Sequence, residues 1–96
     1  MRPSVAYHKH RDSIKRIVEM HHALNPRIFG SVLDNQDTED SDLDLLVDTT
    51  DETSLFDIGA IGAELTELLG VKVDVLTPDA LPERWKTEVL SKALAI

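Results

Sequence analysis

The sequence predicts a single α/β domain in which a mixed β-sheet of about three to four strands is flanked by helices. Two short segments, 42–47 and 71–76, alternate polar and aliphatic residues, as half-buried strands do. Two longer segments, 5–24 and 54–69, repeat apolar residues at spacings of three and four, the period of an amphipathic helix. The 96 residues are 42% hydrophobic, enough for one compact core and too few for two. One domain over 1–96 follows, with an N-terminal helix over 1–26 and the rest of the core over 27–96.

In the first helix, Ile14, Ile17, Val18, His21 and Leu24 form one stripe, and Asn25-Pro26 is expected to end it. Arg27-Ile28-Phe29 is a short strand running into Gly30-Ser31, where the chain turns into a short helix, and 34–41 is a polar loop. A strand at 42–47 projects Asp42 and Asp44 from one face and sends Leu43, Leu45 and Val47 to the core. Ser54 is placed to cap the next helix and Gly70 to end it, with Leu55, Ile58, Ile61, Leu65 and Leu68 as the buried stripe. Gly59 and Gly62 each weaken that helix by about 1 kcal/mol relative to alanine. In 71–76, Val71, Val73 and Val75 share one face, and Lys72 and Asp74 share the other. Thr77-Pro78-Asp79 breaks this strand, and Pro82 opens a last helix whose buried stripe is expected to be Trp85, Val89, Leu90, Ala93 and Leu94.

Composition narrows the function. No apolar run reaches the roughly 20 residues of a membrane-spanning helix, and no signal-peptide stretch follows Met1-Arg2-Pro3-Ser4, so a cytoplasmic protein without membrane contact is expected. With no cysteine, neither a disulfide framework nor a thiolate zinc site is available. The net charge of −8 argues against direct nucleic-acid binding, whose affinity comes from Lys and Arg displacing counterions from phosphates. Charge is also unevenly spread. The stretch 28–71 contains no Lys or Arg and twelve of the eighteen acids, whereas 1–27 carries six basic residues against Asp12 and Glu19.

Asp42, Asp44 and Asp74 are the residues with chemistry to offer. They sit on the polar faces of two expected strands, and if those strands are neighbours the three carboxylates form one patch. Such a patch needs a counter-charge, and clustered oxygen ligands suit Mg²⁺ or Mn²⁺. Gly30-Ser31 supplies the complement, a tight turn whose exposed backbone N–H groups favour phosphate. A phosphate-binding turn facing metal-binding carboxylates is what phosphoryl or nucleotidyl transfer requires, because that catalysis is mostly positioning and charge neutralisation.

Gly30-Ser31, ten residues, then Asp42-x-Asp44 resembles the signature of the DNA polymerase β-like nucleotidyltransferase superfamily. Lys72-Val73-Asp74-Val75-Leu76-Thr77-Pro78 is similar to the third-carboxylate strand of its minimal, single-domain branch, which includes the MntA-type antitoxins paired with HEPN-type ribonuclease toxins. The resemblance runs from about Arg27 onward, with a matching preceding helix. It implies a polymerase β-like palm fold, with Asp42 and Asp44 binding the metals that bridge a triphosphate. It implies too that Asp74 completes the second metal site or accepts the attacking hydroxyl's proton, and that Gly30 and Ser31 hold phosphates. ATP is the implied donor, and a tyrosine of a cognate HEPN toxin the implied acceptor of AMP. An antitoxin that neutralises its toxin by contact alone is the alternative, and self-association is compatible with either. One departure stands out: the family's spacer often carries an arginine after the Gly-Ser pair, and 32–41 here has no basic residue.

Other patterns compete less well. Asp40, Asp42, Asp44, Asp48 and Asp51 fall at EF-hand ligand positions, but Leu45 stands where that loop needs glycine and Asp51 where it needs a bidentate glutamate. Nothing pairs a base with Ser31 as a nucleophile. Lys72 is equally suited to neutralising phosphate and to pairing with Asp74. His8, His10, His21 and His22 need no role beyond a helix surface, and Trp85 reads as core or partner interface.

Overall fold

The computed structural model describes residues 1–34 and 36–96. Four helices and four strands are found among them: α1 (Pro3–Lys9), α2 (Arg11–Met20), β1 (Ala23–Phe29), β2 (Leu43–Thr49), α3 (Leu55–Leu69), β3 (Val73–Leu76), α4 (Glu83–Lys92) and β4 (Leu94–Ala95). Short 3₁₀ turns at Gly30–Asp34 and Pro78–Ala80 link β1 to the polar loop and β3 to α4. The sheet is mixed, in the order β3-β2-β1-β4. β3 runs parallel to β2 through the α3 crossover, and β1 is antiparallel to both β2 and β4.

The expected N-terminal helix over 1–26 is instead two helices and the start of a strand. His10, at φ −115°, ψ 26°, breaks the helical run between α1 and α2, and His22, at φ 64°, turns the chain into β1. Asn25-Pro26 does not end a helix. It lies within β1 as a bulge: the four residues Leu24 to Arg27 oppose the three from Asp48 to Leu46, with Asn25 at φ 52°. Asparagine tolerates this left-handed conformation, and a bulge is where a strand can hold a proline.

α3 follows the sequence closely. The Ser54 hydroxyl accepts from the Asp57 amide at 3.1 Å while the Asp57 carboxylate accepts from the Ser54 amide at 2.8 Å, a reciprocal capping box. Gly70 closes the helix at φ 71°. Its buried stripe is Ile61, Leu65 and Leu69, one position away from expectation at the far end, while Leu55 points to solvent. Gly62 faces the sheet: a β-carbon there would touch the Val73 carbonyl and the Val75 side chain at 3.6 Å. A small residue thus lets α3 lie close on β3.

The core lies on one face of the sheet. Leu43, Leu45, Val47, Ile28 and Val73 project into it and meet Ile14 and Val18 of α2, Ile61 and Leu65 of α3, and Ala6 and Tyr7 of α1. The opposite face is covered more sparsely. Leu46 is fully buried there, where the Pro78–Ala80 turn approaches β2, while Trp85, Leu90 and Leu94, expected in the core, are exposed. β4 was not expected, and its two residues pair with Arg27 and Ile28.

Candidate active site

The sparsely covered face carries the carboxylates. Phe29, Asp44 and Asp74 are consecutive partners across β1, β2 and β3, so their side chains form one row on the same face. Asp42 sits one residue before β2, and the strand alternation gives it the same side as Asp44. Leu43 and Leu45, between and beyond these acids, are fully buried and hold the strand against the core. The two predicted strands are therefore neighbours, and all three sequence-predicted carboxylates lie in one region.

Their electrostatics match that placement. Asp44 is half-buried, and burial pushes its carboxyl above the ordinary carboxylate range, reinforced by the charges of Asp74 and Asp42. Lys72 brings a cation to the row, its Nζ lying 3.8 Å from Asp74 Oδ1 on a largely exposed side chain. This exposed pair leaves Asp44 with a local excess of negative charge. Carboxylate oxygens are the donors a hard divalent cation takes, and Asp42, Asp44 and Asp74 are the side chains that would hold one. Among the described residues no group of three or more carboxylates or imidazoles is placed to hold a metal ion by itself. An open set is the arrangement Mg²⁺ uses when it keeps several waters and takes further oxygens from substrate phosphates.

Gly30 and Ser31 adjoin this row. Gly30 has φ 81°, and a β-carbon there would fall 2.5 Å from Asp44 Oδ2, so the backbone at the turn packs directly on the carboxylate. Ser31 is exposed, with its carbonyl accepting from the Gln36 amide at 3.1 Å. The turn and the carboxylates, separated by the ten-residue spacer, are brought into contact. Gly30 also borders a cavity of about 500 Å³ lined by Phe29, Leu33 and the α4 residues Val89 and Lys92.

Two features escaped the sequence reading. Asp37 is buried although it lies in the polar loop: it accepts from the Ser4 amide at 2.9 Å and from Arg2 at 3.0 Å, tying the loop to the start of α1. Burial opposes its charge, but the Ser4 and Arg2 contacts outweigh that and hold its carboxyl below the ordinary range. An acid among many acids in a loop gives no sign of this in the sequence. His21 and His22 meet acids of α3 and its preceding loop, His21 contacting Glu64 and His22 Nδ1 lying 3.4 Å from Asp57 Oδ2. They lie beyond Thr49, at the end of the sheet opposite Asp44.

Comparison with known proteins agrees with this architecture. The profile of the polymerase β nucleotidyltransferase family matches residues 12–96. The "Putative protein adenylyltransferase MJ0435" of Methanocaldococcus jannaschii is 36% identical over 80 residues, covering 83% of this chain and 86% of that protein. A solved structure, "Structure of putative minimal nucleotidyltransferase", superposes with a TM-score of 0.83 at 34% identity, covering 97% of this chain and 93% of the other. A toxin–antitoxin crystal structure with AMP-PNP shares the fold at a TM-score of 0.73 and 16% identity, over 88% of this chain and 69% of that one. The carboxylate row, the Gly-Ser turn packed on it and these matches together make the chain a member of the minimal nucleotidyltransferase family, within the polymerase β-like superfamily.

Proposed function

We propose that this protein transfers AMP from ATP to a protein hydroxyl, the acceptor being a tyrosine of a cognate HEPN-type toxin that the transfer inactivates. The observation that carries this reading is the contact of Gly30 with Asp44, beside Asp74 in the next strand. It puts a phosphate-binding turn, two strands' carboxylates and an open approach within one small area. In the reaction the acceptor oxygen forms a bond to the α-phosphorus, the bond from that phosphorus to the bridging oxygen breaks, and pyrophosphate leaves with the electron pair. Gly30 and Ser31 hold phosphate oxygens through backbone N–H groups, and Lys72 adds a positive charge. Asp74 either completes the metal site or takes the acceptor hydroxyl's proton. Mg²⁺ or Mn²⁺ would be held by Asp42 and Asp44, with Asp74 where it completes the site, and would supply neutralisation of the triphosphate charge.

The relatives support this reading, since the archaeal protein carries an adenylyltransferase name and the fold is shared with a toxin–antitoxin complex crystallised with AMP-PNP. Labelled ATP, Mg²⁺ and the co-expressed toxin should yield labelled toxin with the native chain and none with Asp74→Ala. An antitoxin acting by contact alone is favoured by one observation, the absence of any Lys or Arg from 28 to 71. A native chain that neutralises the toxin without ever labelling it establishes that second reading.

A further inference from the structure

We propose that copies of this chain associate head to tail, the acidic and apolar start of α3 on one copy seating on the basic corner between α1 and α2 of the next. The surfaces involved lie away from the carboxylate row, and the inference does not depend on the transferase reading. Leu55 and Phe56, each 89% exposed, open α3. Adjacent large apolar residues left in water mark a contact surface, and an aromatic ring is a common anchor of one. Asp51 and Glu52, just ahead of them in the chain, are exposed too, and no Lys or Arg occurs from 28 to 71 to offset them. This surface is held in place before anything docks. The capping box fixes the helix start, the Thr50 hydroxyl donates to the His22 carbonyl at 3.0 Å, and His22 Nδ1 lies 3.4 Å from Asp57 Oδ2. A preorganised surface loses little conformational freedom on binding.

A complementary surface exists on the same chain. Lys9, Arg11 and Lys15, with His8 and His10, line a depression of about 480 Å³ where α1 meets α2. Among the described residues Asp12 is the only acid lining it, and none of the three cations has a carboxylate partner. Arg2, Arg27, Lys72, Lys86 and Lys92 each pair with an acid. In a chain with eighteen acids against ten Lys and Arg, a basic corner left unpaired is open to an acidic surface. Val5, one turn before Lys9 on α1 and half exposed, adds an apolar contact. The stems of Lys and Arg cover apolar surface as well, and a guanidinium over the Phe56 ring is a favourable pairing.

The two surfaces stand at opposite ends of the molecule, so no copy can close its own acids onto its own cations. α2 enters β1 through His21-His22, and Ala23 pairs with Thr49, so the last turn of α2 shares an end of the molecule with the loop that leads into α3. Arg11 starts that ten-residue helix, about 15 Å away. Unlike surfaces meeting in this way make a heterologous contact, which adds further copies into rows or rings instead of stopping at a symmetric pair.

Sedimentation equilibrium of the full chain tests this. At about 50 mM salt and from about 10 μM to about 1 mM protein, the average mass should climb past the dimer, and it should fall back at about 0.5 M salt. Leu55→Ser with Phe56→Ser, and Lys9→Glu with Arg11→Glu, should each weaken self-association at least about tenfold. Thermal unfolding verifies that both variants fold. Mixing the two is decisive, because each keeps the end that the other has lost. Neither should associate alone, and together they should form a one-to-one pair that grows no further. A native chain that stays monomeric throughout overturns the proposal, and if the co-expressed toxin is what the Leu55 and Phe56 variant then fails to bind, the surface belongs to the toxin. Association that neither variant weakens places the contact elsewhere and overturns it. A mixture in which no pair forms overturns it too, since that is the result of a like-with-like contact.

Discussion

Gly30 and Asp44 share one volume: the space a side chain on Gly30 would occupy is filled by the Asp44 carboxylate, 2.5 Å from where the β-carbon would stand. The turn's left-handed φ of 81° is a second reason for glycine here. Gly30→Ala should therefore cost about 1–3 kcal/mol of stability through backbone strain, and more if Asp44 cannot give way. It should also push the carboxylate out of the row and abolish metal-dependent nucleotide binding. Urea unfolding and calorimetry measure the two effects separately.

Asp44 is a stability cost as well as a ligand. Its raised pKa means the folded state disfavours the charged form, so without metal its contribution to stability is worst above its folded pKa and is relieved as pH falls. Asp44→Asn should raise metal-free stability at neutral pH, because it removes a half-buried charge that Asp74 and Asp42 repel. The same variant should lose Mg²⁺-dependent ATP binding. In the native protein, Mg²⁺ affinity should fall as pH drops through the raised Asp44 pKa, a slope absent in the variant.

Asp37 has the opposite sign. Its lowered pKa contributes stability that is present above the unfolded carboxylate value and is lost as pH falls through its folded one. Asp37→Asn should cost about 1–3 kcal/mol at neutral pH, the penalty for leaving polar partners badly satisfied. The difference from native should shrink in thermal melts taken at progressively more acid pH. A constant difference down to strong acid rules out the proposed charge at Asp37.

Ser54→Ala removes the α3 cap at the end of the sheet away from Asp44. A loss of about 1 kcal/mol, or about 4–8 °C in melting temperature, is expected with ATP affinity unchanged. A parallel loss of nucleotide binding shows that the helix start and the site are coupled.

Local rules were enough for much of this fold. β2, β3 and α3 were legible because each obeys one strong local rule: alternation for Leu43 to Val47 and Val71 to Val75, a capping box and a terminal glycine for α3. The carboxylates followed, since placing the strands places Asp42, Asp44 and Asp74. What the sequence concealed depends on tertiary context. The break at His10 and the bulge at Asn25 are single-residue backbone choices with no periodic trace. Two-residue β4 is too short to carry a pattern and exists only by pairing with β1. Leu55 and Trp85 fit helical stripes, yet no element covers them, and apolar spacing alone does not reveal whether a neighbour is present.

The parallel pairing of Asp44 with Asp74 makes correct assembly of this site self-checking. Side chains alternate along a strand, so a slip of β3 by one residue turns Asp74 into the aliphatic core and delivers Val73 and Val75 to water. Such an error carries a buried charge and two exposed valines at once. It is further resisted by the Thr66 hydroxyl, which accepts from the Val73 amide at 3.0 Å, and by Gly62 seated on Val73 and Val75. A one-residue slip therefore cannot persist as a stable but misaligned copy, because it forfeits the core along with the alignment of the acids.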